Sequence, residues 1–182
     1  MRHRLIGCLF LLIFPGVLAA EPVRVVVAMT GTNQYSISLK TTVQARQNSL
    51  WAVLTDYDHH AGFLPYMTLS RVVETHPDYK VVKQAGQIRI LFWTFTMHVL
   101  QQVREEPPRH MHFQAISGDF THLEGDWMLT PSAGSAAITH LECQFLVQPR
   151  RRVPQWAVRL AARHYLATMV QRLQERAEER VQ

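Results

Sequence analysis

The sequence predicts an α+β domain: an antiparallel β-meander wrapped on one long C-terminal helix, with two short helices after the first strands. Three observations predict it. A period-two apolar pattern recurs in short segments between residues 23 and 148, separated by turn chemistry. Helical spacing interrupts that pattern once, between residues 48 and 65. After Pro154 the period changes to about 3.6 and stays there.

In order, Val23 to Ala28 is β-branched and reads as a strand, and Gly31-Thr32-Asn33 supplies a turn. Ile37, Leu39, Thr41 and Val43 alternate with Ser38, Lys40 and Thr42, so this strand is half buried and closes a hairpin. A short helix follows, with Asn48 or Ser49 as its cap and Leu50, Trp51, Val53 and Leu54 as its apolar faces. Asp56 to Pro65 is a second helical turn or compact loop. Strands are then expected at 69–75, 79–90, 95–105, 110–116, 121–130 and 136–148, with turns at His76-Pro77-Asp78, Leu91–Thr94, Pro107-Pro108, Gly118-Asp119 and Pro131–Gly134. Connections this short join antiparallel neighbours. In the last helix Val158, Ala162, Leu166, Met169, Leu173 and Ala177 form one apolar stripe, and Pro154 suits its first turn.

Residues 1–20 read as a cleavable signal peptide, and 21–182 as a single domain. Arg2, His3 and Arg4 precede an uncharged run from Leu5 to Phe14, and Val17-Leu18-Ala19-Ala20 supplies small residues for cleavage. The run is shorter than the roughly 20 residues that a spanning helix takes. The chain is therefore expected to be exported, to the periplasm. The formal net charge of +5 drops to +3 once Arg2 and Arg4 are gone. That charge and the compartment argue against nucleic acid as a partner. The densest basic cluster, Arg150-Arg151-Arg152, reads as a solvated turn or as a contact for the anionic headgroups of a membrane surface. Cys8 leaves with the signal, so Cys143 has no disulfide partner and is expected to be a small buried apolar residue.

Strand parity selects a core face. Met97, Val99, Gln101 and Val103 share a side, as do Met111, Phe113 and Ala115; so do Leu123, Gly125, Trp127 and Leu129, and Leu141, Cys143, Phe145 and Val147. Antiparallel pairing puts all four sets on one face, beneath the helix stripe. Gly86, Ala115 and Gly125 are small, so either the helix packs down on them or a void is left for a ligand. Gln84, Gln101 and Thr139 would then be the polar points of an apolar wall.

Catalytic and metal-binding patterns are weak. His110-x-His112 falls on the outer, solvated face, His98 near Ser117, and His59-His60 in a loop, as a solvated pair or as a gate at a pocket mouth. No third ligand converges at a recognised metal spacing, and no nucleophile elbow or phosphate loop is present. Glu105-Glu106 and Asp56-Tyr57-Asp58 read as strand-end and turn chemistry, and Asp119 as the cap of its own turn. No cofactor or metal is expected.

The derived order resembles the helix-grip fold of the START, polyketide cyclase/dehydrase and Bet v 1-like (SRPBCC) superfamily. Trp51-Ala52-Val53-Leu54-Thr55-Asp56-Tyr57-Asp58 with Phe63-Leu64-Pro65 is similar to the helix and loop of its polyketide cyclase/dehydrase and coenzyme-Q-binding START-like group. So are Gln84-x-Gly86, Glu106-Pro107-Pro108, Gly118-Asp119-Phe120 and Gly125-x-Trp127-x-Leu129-x-Pro131. The likeness spans about residues 35–178. It implies a cavity between sheet and helix that takes lipids, quinones, polyketides or other hydrophobic small molecules. Trp51, Phe63, Met67, Gln84, Phe113, Trp127, Phe145 and Met169 are the expected wall or mouth residues. The leading expectation is a binding or carrier protein. Two alternatives stand beside it. One is a cyclase/dehydratase-type enzyme using His140 or His164. The other is a protein- or membrane-interaction module with an apolar patch at Phe92-Trp93.

Overall fold

The computed structural model describes residues 23–90 and 93–179. The expected signal, residues 1–20, and Phe92 lie outside them, as does the Trp93 side chain, so the Phe92-Trp93 patch does too. Eight strands form one antiparallel sheet: β1 (Arg24–Gly31), β2 (Gln34–Val43), β3 (Met67–Thr75), β4 (Lys80–Ile90), β5 (Trp93–Glu106), β6 (His110–Gly118), β7 (Phe120–Ser132) and β8 (Ser135–Pro149). Their spatial order is β1-β2-β8-β7-β6-β5-β4-β3. The last six are the expected meander, and the opening hairpin joins its far edge through β2 and β8. Helices α1 (Gln47–Leu54) and α2 (His60–Phe63), with a 3-10 turn at Tyr57–His59 between them, link β2 to β3. Helix α3 (Gln155–Glu179) lies along the concave face.

The parity reading holds across the sheet. Val103, Phe113, Gly125, Phe145 and Ile37 follow one another across five strands, with Gln101 beside Ala115. Cys143 is buried as expected, and burial first, with the Asp126 charge second, pushes its thiol up. The α3 stripe is buried from Ala162 to Ala177, with Ala157 and Val170 joining it and Val158 only half buried.

Several boundaries differ. Arg46, not Asn48 or Ser49, is the N-cap of α1, and no side chain caps it. Gln47 instead donates from Nε2 to the Leu129 carbonyl at 2.8 Å, tying the helix start to the sheet. Trp93 and Thr94 belong to β5, paired with Ile90 and Arg89, because the alternation continues through them. Pro131 lies in β7 opposite Thr139, so the next turn is confined to Ala133 and Gly134. Pro154 precedes α3, its carbonyl accepting from Ala157 and Val158. The Asp119 carboxylate accepts from the His98 amide at 2.7 Å and so binds the first half of β5 instead of its own turn. His98 therefore sits against Asp119 and not Ser117, one consequence of the register shift at Leu100.

Gly125 marks a close approach, not spare volume. A Cβ there would collide with the Phe145 Cβ and the Gln144 carbonyl. Gly118, at φ 128°, is the positive-φ residue where β6 ends against His98.

Candidate functional site

Between α3 and the concave face lies a cavity of about 740 Å³. Its size falls in the range of small-molecule pockets. Sheet residues such as Ile37, Val103, Trp127 and Phe145 form its floor. Val158, Tyr165, Leu166 and Met169 of α3 form its roof. Six of the eight expected wall residues line it: Met67, Gln84, Phe113, Trp127, Phe145 and Met169. Trp51 and Phe63 are not among the lining residues. Trp51 is buried in the main core, and Phe63 packs half-buried against that core, edge-on to His60. Both are helix residues that hold α1 and α2 down; apolar periodicity alone does not separate that task from wall lining. Of the three small residues, Gly86 does line the cavity, although a Cβ on it would also lie 2.6 Å from the Tyr66 carbonyl. Ala115 and Gly125 do not line it.

The cavity has a closed end and an open one. At the closed end, beneath the 3-10 turn, Lys80 Nζ meets the Glu105 carboxylate at 2.9 and 3.0 Å. Tyr57 donates its hydroxyl to the same carboxylate at 2.8 Å, and Lys80 sits 5.5 Å from the centre of the Tyr57 ring. Burial above all, and then the Glu105 charge, pushes the Tyr57 phenol far up, so it stays a donor. A carboxylate on the core face of a strand needs such partners, since an unpaired buried charge is costly. Glu105 is thus a core residue, not strand-end decoration.

At the other end the sheet opens. β5 begins at Trp93, but β6 pairs with it only from Val99. β6 in turn pairs with β7 only as far as Gln114. The exposed lining residues gather at this gap: Thr94, Thr96, His98, Asp119, Arg150 and Arg151. Arg150 holds the Gly118 carbonyl through Nε at 2.8 Å, fixing one lip. On the other side Tyr66, at φ 68°, hydrogen-bonds His164 of α3 through its hydroxyl and accepts from the Gln87 amide at 2.7 Å.

Polar groups inside are few. Gln101 donates to Gln84 at 3.1 Å, and Gln84 to Ser70 at 3.2 Å, a chain along the β3–β5 wall. Thr139, expected as a third polar point, instead donates to the Ala45 carbonyl and lies outside the lining. Tyr165 is surrounded by protein yet partly accessible, and that surface faces the cavity. Burial pushes its phenol up to about 12, and among the described residues no hydrogen bond holds its hydroxyl.

Some of the histidines are placed differently from the expectation. His60 is buried at 4% exposure and lines the cavity, while His59 is the exposed member, bonded to Asp56. Burial, outweighing the bond to the Val53 carbonyl, lowers the His60 pKa and keeps its ring neutral. Its other nitrogen, Nδ1, has no hydrogen-bond partner among the described residues and no accessible surface, so it is closed to the cavity as well. His140 and His164 do not line the cavity; the first bonds Thr42 on the outer face and the second bonds Tyr66 at the lip. His110 and His112 are half buried on the outer face and meet at Asp126 Oδ1, at 2.8 and 3.0 Å. Partial burial raises the Asp126 carboxyl, but the two imidazole bonds outweigh it and hold it below the usual range. Among the described residues no group of three His, Cys, Asp or Glu is arranged to hold a metal.

Fold and cavity together define a helix-grip domain with a hollow apolar interior. Residues 43–174 match the family described as polyketide cyclase / dehydrase and lipid transport, and the chain belongs to that family. Among curated proteins, no sequence relative matches. Three solved structures show the same fold. The Zhui aromatase/cyclase from Streptomyces sp. R1128 superposes with a TM-score of 0.67 at 18% identity, covering 82% of this chain and 96% of that one. A STAR-related lipid transfer protein from Xanthomonas axonopodis gives 0.70 at 13%, covering 88% and 96%. A START superfamily protein from Mycobacterium smegmatis gives 0.66 at 17%, covering 79% and 97%. At these identities the likeness establishes the fold alone.

Proposed function

We propose that this chain is an exported binding or carrier protein for a hydrophobic small molecule of lipid, quinone or polyketide-like kind. The molecule sits between the sheet and α3, against Met67, Gln84, Phe113, Trp127, Phe145 and Met169. The observation that carries the reading is the cavity of about 740 Å³, apolar on floor and roof, with a short amide chain and one free phenol as its polar points. Apolar burial supplies the affinity, at about 25 cal/mol per Å², and the phenol and amides orient the cargo. Residues 1–20 are a signal removed on export, and the working domain begins at Glu21 in the periplasm, where the carrier meets a membrane surface to load or release. Nucleic acid is not a partner in this reading.

Native mass spectrometry of the protein purified from its host tests the binding reading. A mass increment that extracts into organic solvent is the expected result. A bare polypeptide mass, with no binding of an uncharged fluorescent apolar probe, refutes it. N-terminal sequencing of the same sample gives Glu21 if the signal is cut there.

A further inference from the structure

Residues 150–172 carry six arginines and no Asp or Glu. Five of them, Arg150, Arg151, Arg152, Arg159 and Arg163, are exposed, and none has a carboxylate within ion-pair distance among the described residues. The far end of the same helix is different: Arg172 and Arg176 pair with Glu175 and Glu179 at 2.9 and 2.7 Å. Helix stability does not call for this arrangement, because cations near a helix start oppose its dipole. The first turn of α3 holds no acidic residue to compensate.

The same stretch exposes two large apolar side chains, Trp156 at 48% and Leu160 at 49%. At about 100° per residue, Leu160, Trp156, Arg163 and Arg159 fall within one arc of about 100° on α3. The opposite arc, with Val158, Tyr165 and Met169, roofs the cavity. Arg150 and Arg151 stand at the mouth itself. The basic, apolar face and the opening therefore share one end of the molecule.

We infer that this face docks on an anionic lipid bilayer, setting the cavity mouth against the membrane. Unpaired arginines match acidic headgroups. Trp156 and Leu160 match the boundary beneath them, where an amphipathic indole is at home. An acidic protein surface would satisfy the arginines but leaves the Trp156–Leu160 pair unexplained. Docking is peripheral: no described helix is long and apolar enough to cross a membrane. The inference goes beyond the carrier reading and is detected without any cargo.

The test is co-sedimentation of the chain starting at Glu21 with phosphatidylcholine vesicles, with and without phosphatidylglycerol. Binding is expected only with phosphatidylglycerol and weakens as salt rises. Replacing Arg152, Arg159 and Arg163 by Gln is expected to weaken it on the order of a hundredfold. Trp156→Ser with Leu160→Ser is expected to weaken it at least roughly tenfold. Both variants keep the circular dichroism spectrum and the apolar-probe affinity. Equal binding to both vesicle types, no binding to either, or unchanged binding by the folded variants overturns the inference. Vesicle binding without any probe binding defeats the carrier reading and leaves docking standing; probe binding without vesicle binding does the reverse.

Discussion

Replacing Val158 by Phe separates a hollow from a filled core. Val158 belongs to the roof, half-buried and bordering the cavity from the first turns of α3. The exchange adds roughly four carbons. In a solid core, overpacking of this kind costs about 1–3 kcal/mol of stability. Into a void of about 740 Å³ the ring can swing freely, and filling a void adds about 0.5–2 kcal/mol. The cost falls on the cargo. A ligand that fills the wild-type cavity loses space for about four carbons, at about 0.8 kcal/mol per buried methylene, or about 3 kcal/mol in all. That is on the order of a hundredfold in Kd. Shorter ligands lose little. The assay is displacement of an uncharged fluorescent probe by n-alkyl methyl ketones of increasing length. In the wild type, affinity rises about fourfold per methylene until the cavity is full. In Val158→Phe the plateau comes earlier while the melting temperature holds or rises. A folded variant with an unchanged plateau refutes the location, and a strongly destabilised one refutes the hollow.

Other outcomes follow from single contacts. Tyr165→Phe should weaken a ketone about three- to tenfold relative to an alkane of equal length, since one hydrogen bond is worth about 0.5–1.5 kcal/mol; equal loss for both places the hydroxyl elsewhere. Lys80→Met strands Glu105 and should cost about 2 kcal/mol in urea unfolding, below the fully buried range because Lys80 keeps 34% of its side-chain surface. Adding Glu105→Leu should restore most of that. His60 has its pKa lowered on folding, so below about pH 6.5 the unfolded chain binds a proton that the folded one refuses. Stability is intact above that pH and falls below it, by at most about 1.36 kcal/mol per unit, and His60→Leu should remove that component of the slope. Gly125→Ala sets a Cβ against the Phe145 Cβ and the Gln144 carbonyl, must part β7 from β8, and should cost about 3 kcal/mol in thermal unfolding.

Much of this was legible in the sequence because parity propagates. Once Val103 is placed inside, tight turns fix Phe113, Gly125 and Phe145 on the same side without further information. The same parity places Glu105 inside with Val103, so its burial was readable. Its partner Lys80 was not, because naming it needs the β4–β5 register, which sets Lys80 opposite Val103. His60 was out of reach for a different reason: in Tyr57–Phe63 no period distinguishes the buried ring from exposed His59. Tyr165 falls off the expected α3 stripe, one residue before Leu166, although five of the six stripe residues line the cavity beside it. An apolar stripe marks a helix face as inward and does not say whether side chains or space lie beneath it.

The size of that space bears on what fills it. At about 24 cal/mol per Å³, a dry apolar void of 740 Å³ would cost about 18 kcal/mol. That exceeds the whole stability of a typical domain, about 5–15 kcal/mol. The interior is therefore wet or occupied. Water has footholds at the Gln101–Gln84–Ser70 chain and at the Tyr165 hydroxyl, but apolar floor and roof lie between them. An apolar cargo would replace poorly held water across that span while satisfying the same polar points. Binding should then stabilise the fold by RT ln(1 + [L]/Kd), about 2.7 kcal/mol at a hundredfold excess over Kd. Thermal unfolding with and without a saturating apolar ketone reads this directly. A melting temperature that does not move would mean that the hollow is closed to such molecules.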